Sequence, residues 1–149
     1  MNENGHCPVV CRGIRGATTV DENAAPAILG AARELLTRIV EANDLRQEDI
    51  ASVIFTVTPD LNAEYPALAA RQMGWHDVAL MCGHEMNVPH GLKMCLRILI
   101  HWNTARQASE IQHVYVRGAV NLRPDRSIQF KAQPTTAEAQ AEAQQERNP

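Results

Sequence analysis

Apolar residues recur along this chain at helical spacing in some stretches and in dense β-branched runs in others. Val9 to Val20 is rich in β-branched and small residues. It predicts a buried strand with a bulge or bend near Gly13 or Gly16, where the backbone can approach a neighbour closely. Asp21-Glu22-Asn23 is a helix-start signal, reinforced by Pro26 in the first turn. Ile28, Leu29, Ala32, Leu35, Leu36, Ile39 and Val40 then follow the helical period, with Arg33, Glu34, Arg38 and Glu41 on the other face. The pattern is that of a surface helix lying on a sheet, ended by Asn43-Asp44.

Ala51 to Thr58, dense in Val, Ile, Phe and Thr, predicts a central strand stopped by Thr58-Pro59-Asp60. Tyr65 to Met73 fits a brief helix capped by Gly74, and Val78 to Cys82 another buried strand. Gly83 to His90 is a loop. After it, Leu92, Cys95, Leu96, Leu99 and Ile100 suggest the inner stripe of a second amphipathic helix, with Arg97 just off that stripe. His113 to Arg117 and Ala119 to Leu122 are short strand candidates separated by Gly118, and Pro124 closes the folded part. The order β, α, β, short α, β, α, β, β predicts an α/β fold, a mixed sheet with helices on one face. From Ala132 onward almost no large apolar residue remains to anchor packing. The chain therefore divides into an N-terminal extension (1–10), a single domain (11–131) and a flexible or disordered tail (132–149).

Length and charge narrow the partners. The 149 residues, 45% of them apolar, suffice for one core. The net charge is −3, of which the tail carries −2, so the folded part is nearly neutral and nucleic acid is not its natural partner. No run approaches the roughly 18 apolar residues of a membrane helix. No signal peptide is visible and the four cysteines follow no regular framework, so reduced thiols and a cytoplasmic location are expected.

Among the 14 basic residues, 12 are arginine, whose planar fork suits carboxylates; a coding bias toward arginine would give the same count. Arg15 lies in a mainly apolar strand, where a guanidinium must end at solvent, at a carboxylate or at a ligand. The same alternatives hold for Arg71, Arg97 and Arg123. Glu85 is a lone carboxylate in a strand-exit loop. Cys82, His84 and Glu85 are all zinc-ligand types, but their spacing lacks a second converging cluster, so no metal is expected. Cys82 as a nucleophile would need a histidine base and an orienting group. Fixed cations and one acid, without an obvious nucleophile and base, suit holding a compact polyanion.

Joint order and spacing add more. Arg12-Gly13-Ile14-Arg15-Gly16-Ala17-Thr18-Thr19-Val20, Thr58-Pro59-Asp60-Leu61, Cys82 with Glu85-Met86, Gly91-Leu92-Lys93, Cys95-Leu96-Arg97, His113-Val114-Tyr115 and Leu122-Arg123-Pro124-Asp125 span Arg12 to Asp125. Together they resemble the small monofunctional chorismate mutases, trimers with a pseudo α/β-barrel. The resemblance implies rearrangement of chorismate to prephenate without cofactor or metal, in a homotrimer with active sites between subunits. It assigns Arg97 to the ether oxygen, Arg15 and Tyr115 to the side-chain carboxylate, and Glu85 to the ring hydroxyl with Cys82 beside it. Tyr65, Ala67, Arg71, Leu122 and Arg123 would wall the pocket and close its mouth from the neighbouring subunit. Leu68 departs from the lysine expected there, Tyr65 from a phenylalanine, and Met81 from a smaller polar residue. Two other readings use the same residues: a non-enzymatic binder or sensor of an anionic metabolite, and a hydrolase or deaminase built on Cys82.

Overall fold

The computed structural model describes residues 5–122 and the strand Ser127–Gln129. The proposed tail, and Arg123, Pro124 and Asp125, lie outside the described residues. Six strands form one mixed sheet: β1 (Val10–Thr19), β2 (Ile50–Val57), β3 (Ala79–His84), β4 (Cys95–Thr104), β5 (His113–Tyr115) and β6 (Ser127–Gln129). Their order across the sheet is β3-β2-β4-β1-β5-β6. Helices α1 (Ala25–Asn43) and α2 (Ala67–Gln72) pack on one face, as the mixed-sheet reading expected.

Between helices and sheet lies the core. From the sheet come Ile14, Val53, Phe55, Leu96, Ile98 and Ile100; from α1 come Ile28, Leu35, Leu36 and Ile39, all at most 2% exposed. Gly16 is part of this face. A Cβ there would sit 2.6 Å from Ile39 Cδ1 and 3.2 Å from Leu35 Cδ1, so the missing side chain is what lets α1 settle against β1. The helix begins with Pro26 in its first turn but without a side-chain cap. Asn23 is used elsewhere: its Oδ1 accepts the backbone N–H groups of Asn62 and Ala63, both at 3.0 Å. At the other end Asp44 takes a left-handed conformation (φ 51°). Buried Asn43 exchanges hydrogen bonds with the backbone of Gln112 at 2.9 Å, tying α1 to the approach to β5.

The structure corrects four local expectations. The buried strand predicted at Val78 to Cys82 is edge strand β3, exposed or half-buried along its length. The predicted second amphipathic helix is strand β4. Leu96, Ile98, Ile100, Trp102 and Thr104 are buried while Arg97, Leu99, His101 and Asn103 face away, a period of two that the helical template could not accommodate. The bulge expected near Gly13 or Gly16 is absent from the continuous β1–β4 register; the irregularity falls in β2, between Ile50 and Ser52. Ala119 to Leu122 is no strand. Arg117–Ala119 form a 3-10 turn that buries Ala119 completely.

Gly16→Ala should destabilise the fold by about 1–3 kcal/mol through overpacking against Ile39 and Leu35. Urea titration of the two proteins, with the midpoint falling at an unchanged slope, is the expected result.

Candidate active-site cleft

Cross-strand pairing sets the side chains of the open sheet face in rows. Ala17 on β1 is opposite Arg97 on β4, which is opposite Thr56 on β2; one step along, Arg15, Leu99 and Ile54 form the next row. Directly opposed residues point to the same side of a sheet. Tyr115 joins the first row because β5 pairs with β1 at Ala17. Glu85 follows directly after β3, its N–H bonded to Val57 O at 2.9 Å. These residues and Leu122 line one cleft of about 400 Å³, within the roughly 300 to 1,000 Å³ usual for small-molecule sites.

Glu85 Oε1 is the electrostatic centre of the cleft. It accepts a hydrogen bond from the Thr56 hydroxyl at 2.5 Å and lies 3.5 Å from Arg97 Nε. The Arg97 side chain remains 46% exposed and lines the cleft. Arg15 is half-buried, and its backbone N–H donates to His113 Nδ1 at 3.0 Å, tying β1 to the residue that opens β5. Ala17, Ile54 and Leu99 give the cleft an apolar floor.

A second small network holds the strand that carries Arg97. Asp60 Oδ2 accepts the Met94 N–H at 2.9 Å while Oδ1 accepts the Thr58 hydroxyl. That hydroxyl in turn accepts the Cys95 N–H at 2.9 Å, and Thr58 N–H donates to Cys95 O at 3.0 Å. The end of β2 is thereby clamped to the start of β4, two residues before Arg97. The Thr58 hydrogen bond, helped by the Met94 N–H and opposed by desolvation, holds the Asp60 carboxyl below the ordinary aspartate range.

Of the residues singled out by sequence, Arg15, Glu85, Arg97, Tyr115 and Leu122 come together here. Cys82 does not. It pairs with Phe55, so its side chain faces the helices, on the opposite side of the sheet from Glu85. With Tyr65 it lines a separate hollow of about 350 Å³ that also includes Pro66 and His84. Ala67 is 3% exposed, packed into the core of its own chain, and lines neither the cleft nor that hollow. Arg71 is exposed on α2, apart from the residues lining the cleft. Arg123 lies outside the described residues. Thr56, the direct partner of Glu85, was missed by sequence reasoning. The available signal was its polar side chain between core-facing Phe55 and Val57.

Among the described residues, no three His, Cys, Asp or Glu side chains are grouped to hold a metal, and no helix is long and apolar enough to cross a membrane. All four cysteines are free.

Residues 11–126 match the family model of chorismate mutase type I. The chain is 50% identical over 115 residues to the chorismate mutase AroH of Thermus thermophilus, covering 76% of this chain and 94% of that protein. It is 41% identical over 121 residues to the chorismate mutase AroH of Bacillus subtilis (strain 168), covering 80% and 95%. Among solved structures, the chorismate mutase from Clostridium thermocellum superposes with a TM-score of 0.72 at 49% identity, over 72% of this chain and 96% of that one.

The clamp at Asp60 has a definite pH signature. Its folded pKa is lowered from 3.8, so its stabilising contribution is complete above that value and is lost as pH falls through the folded value. Asp60→Ala should melt below wild type near neutral pH, with the gap closing at acid pH below 3.8. A gap that stayed constant or widened toward acid would contradict this account; thermal melts across the range decide it.

Proposed function

The chain belongs to the chorismate mutase type I family, isomerases of aromatic amino acid biosynthesis, and on that premise we propose that the cleft around Glu85 and Arg97 is where chorismate rearranges to prephenate. The observation that carries this assignment is an acceptor and a donor 3.5 Å apart, Glu85 Oε1 and Arg97 Nε, in a cleft that also holds Arg15 and Tyr115. Chorismate has two carboxylates, an enol-pyruvyl ether and a ring hydroxyl. In its intramolecular Claisen rearrangement the ether C–O bond breaks ahead of C–C bond formation. Negative charge gathers on the ether oxygen and positive character on the ring.

Arg97 donates an N–H to that oxygen, stabilising the charge where it develops, and no proton changes hands. Arg15 and Tyr115 orient the side-chain carboxylate. The Thr56 hydroxyl and Arg97 Nε both meet Glu85 at Oε1; Oε2 accepts the ring hydroxyl while the carboxylate charge favours the electron-poor ring. The apolar floor of Ala17, Ile54 and Leu99, with Leu122 at the side, favours the compact chair in which the reacting carbons meet. No cofactor enters the scheme.

We infer a homotrimer with active sites between subunits. Three large apolar side chains support it: Tyr65, Met81 and Met86 are 69%, 61% and 83% exposed at the β3 edge and the loop that follows. In that arrangement the hollow containing Tyr65 and Cys82 faces the open cleft of a neighbour and completes its wall. The free thiols, exposed at Cys7 and Cys11, suit the reducing cytoplasm.

Purified protein without added metal or cofactor should convert chorismate to prephenate in equal amounts; binding without conversion would leave only a metabolite binder. Arg97→Lys should lower kcat by about 10² to 10³ while the protein stays folded. Turnover near wild type would refute the role given to Arg97. Light scattering is expected to give three chains per particle, and a fully active monomer would refute the shared site.

A further inference from the structure

Arg117 is the first residue of the 3-10 turn after β5 and has φ 52°, a left-handed backbone conformation that suits glycine. A strained non-glycine residue persists where its surroundings hold it. Here the side chain is bound on two sides. Nη2 lies 2.8 Å and Nε 3.3 Å from Glu34 Oε2 on α1, and Nη1 is 3.8 Å from Asp21 Oδ2 just past β1.

The turn itself sits close to β1. Gly118 N–H donates to Thr19 Oγ1 at 3.0 Å, and a Cβ on Gly118 would come within 2.8 Å of Thr19 Cγ2. Val116 N–H bonds to Ala17 O at 3.0 Å, and Leu122 N–H to Ala119 O at 3.1 Å. Ala119 is thereby pressed into a small apolar cluster with Ala17 and Tyr115, against which Leu122 packs. Three of those four residues, Ala17, Tyr115 and Leu122, line the cleft. The ion pair therefore lies on the outside of the turn whose inside forms one cleft wall.

We propose that Arg117 is a positioning residue for the rearrangement, its bonds to Glu34 and Asp21 holding the 117–119 turn against β1 so that Tyr115 and Leu122 stand at the cleft. This rests on the assignment of that cleft to chorismate. Arg97 lies on β4 and Glu85 directly after β3, whereas the turn packs against β1. Tyr115 and Leu122 contact the substrate before and during the reaction, so loosening them removes binding common to both states and raises KM more than it lowers kcat.

The test compares steady-state kinetics and melting of wild type with Arg117→Gly, Glu34→Gln and Arg117→Lys. Arg117→Gly suits the left-handed backbone and lacks the anchor, and Glu34→Gln removes the charge from the other side. Each should raise KM about fivefold with kcat within about twofold of wild type, while Arg117→Lys restores most of the affinity. Lower melting temperature with unchanged KM in the glycine and glutamine variants would reduce Arg117 to a structural ion pair. A fall in kcat at constant KM would equally overturn the proposal. Wild-type protein without turnover would sink the functional assignment itself, an outcome distinct from wild-type turnover with unaltered variants.

Discussion

Everything at the cleft depends on the register of β4 between β1 and β2. Side chains alternate across a strand, so a slip of one residue would turn Arg97 into the helix-covered core and Ile98 into the cleft. Burying an arginine against Phe55 and Ile39 has no compensating partner, and that cost locks the register. The apolar positions Leu96, Ile98 and Ile100, anchored in the core, thus aim the Arg97 guanidinium at the opposite face of the sheet.

The clamp at Thr58 and Asp60 and the turn at Arg117 act on the two ends of this arrangement. One fixes where β4 begins; the other fixes where the chain goes after β5. Between them Arg97 is carried by central strand β4, Glu85 by the chain directly after edge strand β3, and one cleft wall by a turn. The Arg97 donor thus sits on a strand paired on both sides, while Leu122 at the cleft wall sits on the segment that follows the turn.

How much of this was legible depended on the length scale of each signal. Strand β1, helix α1 and strand β2 carry ten or more residues of consistent pattern or a dense β-branched run, and each was read in the right place. Strand β4 was misread because Leu92, Cys95, Leu96, Leu99 and Ile100 satisfy helical spacing by coincidence, whereas Ile98 and Trp102 mark the true alternation. The turn at Arg117 could not be read, since its left-handed backbone is stabilised by Glu34 and Asp21, far away in sequence. Arg15, Glu85, Arg97 and Tyr115 were picked out by joint resemblance, and only the sheet pairing shows why they share a face. Thr56 escaped because a lone threonine in a strand is ordinary until Glu85 is seen beside it.

Strand β1 begins at Val10, yet its neighbours are β4 and β5, which occupy residues 95–115. During synthesis the first strand must wait, unpaired, until most of the domain has left the ribosome, and it then inserts between two strands made much later. Pairing over such separations is slow to form. The pairings of Ala17 with Arg97 and of Arg15 with Leu99 exist only after that insertion, so the cleft is complete only once β4 and β5 have been made. A polypeptide that ends before β3 contains the residues of helix α1 and strand β2 but neither Glu85 nor Arg97.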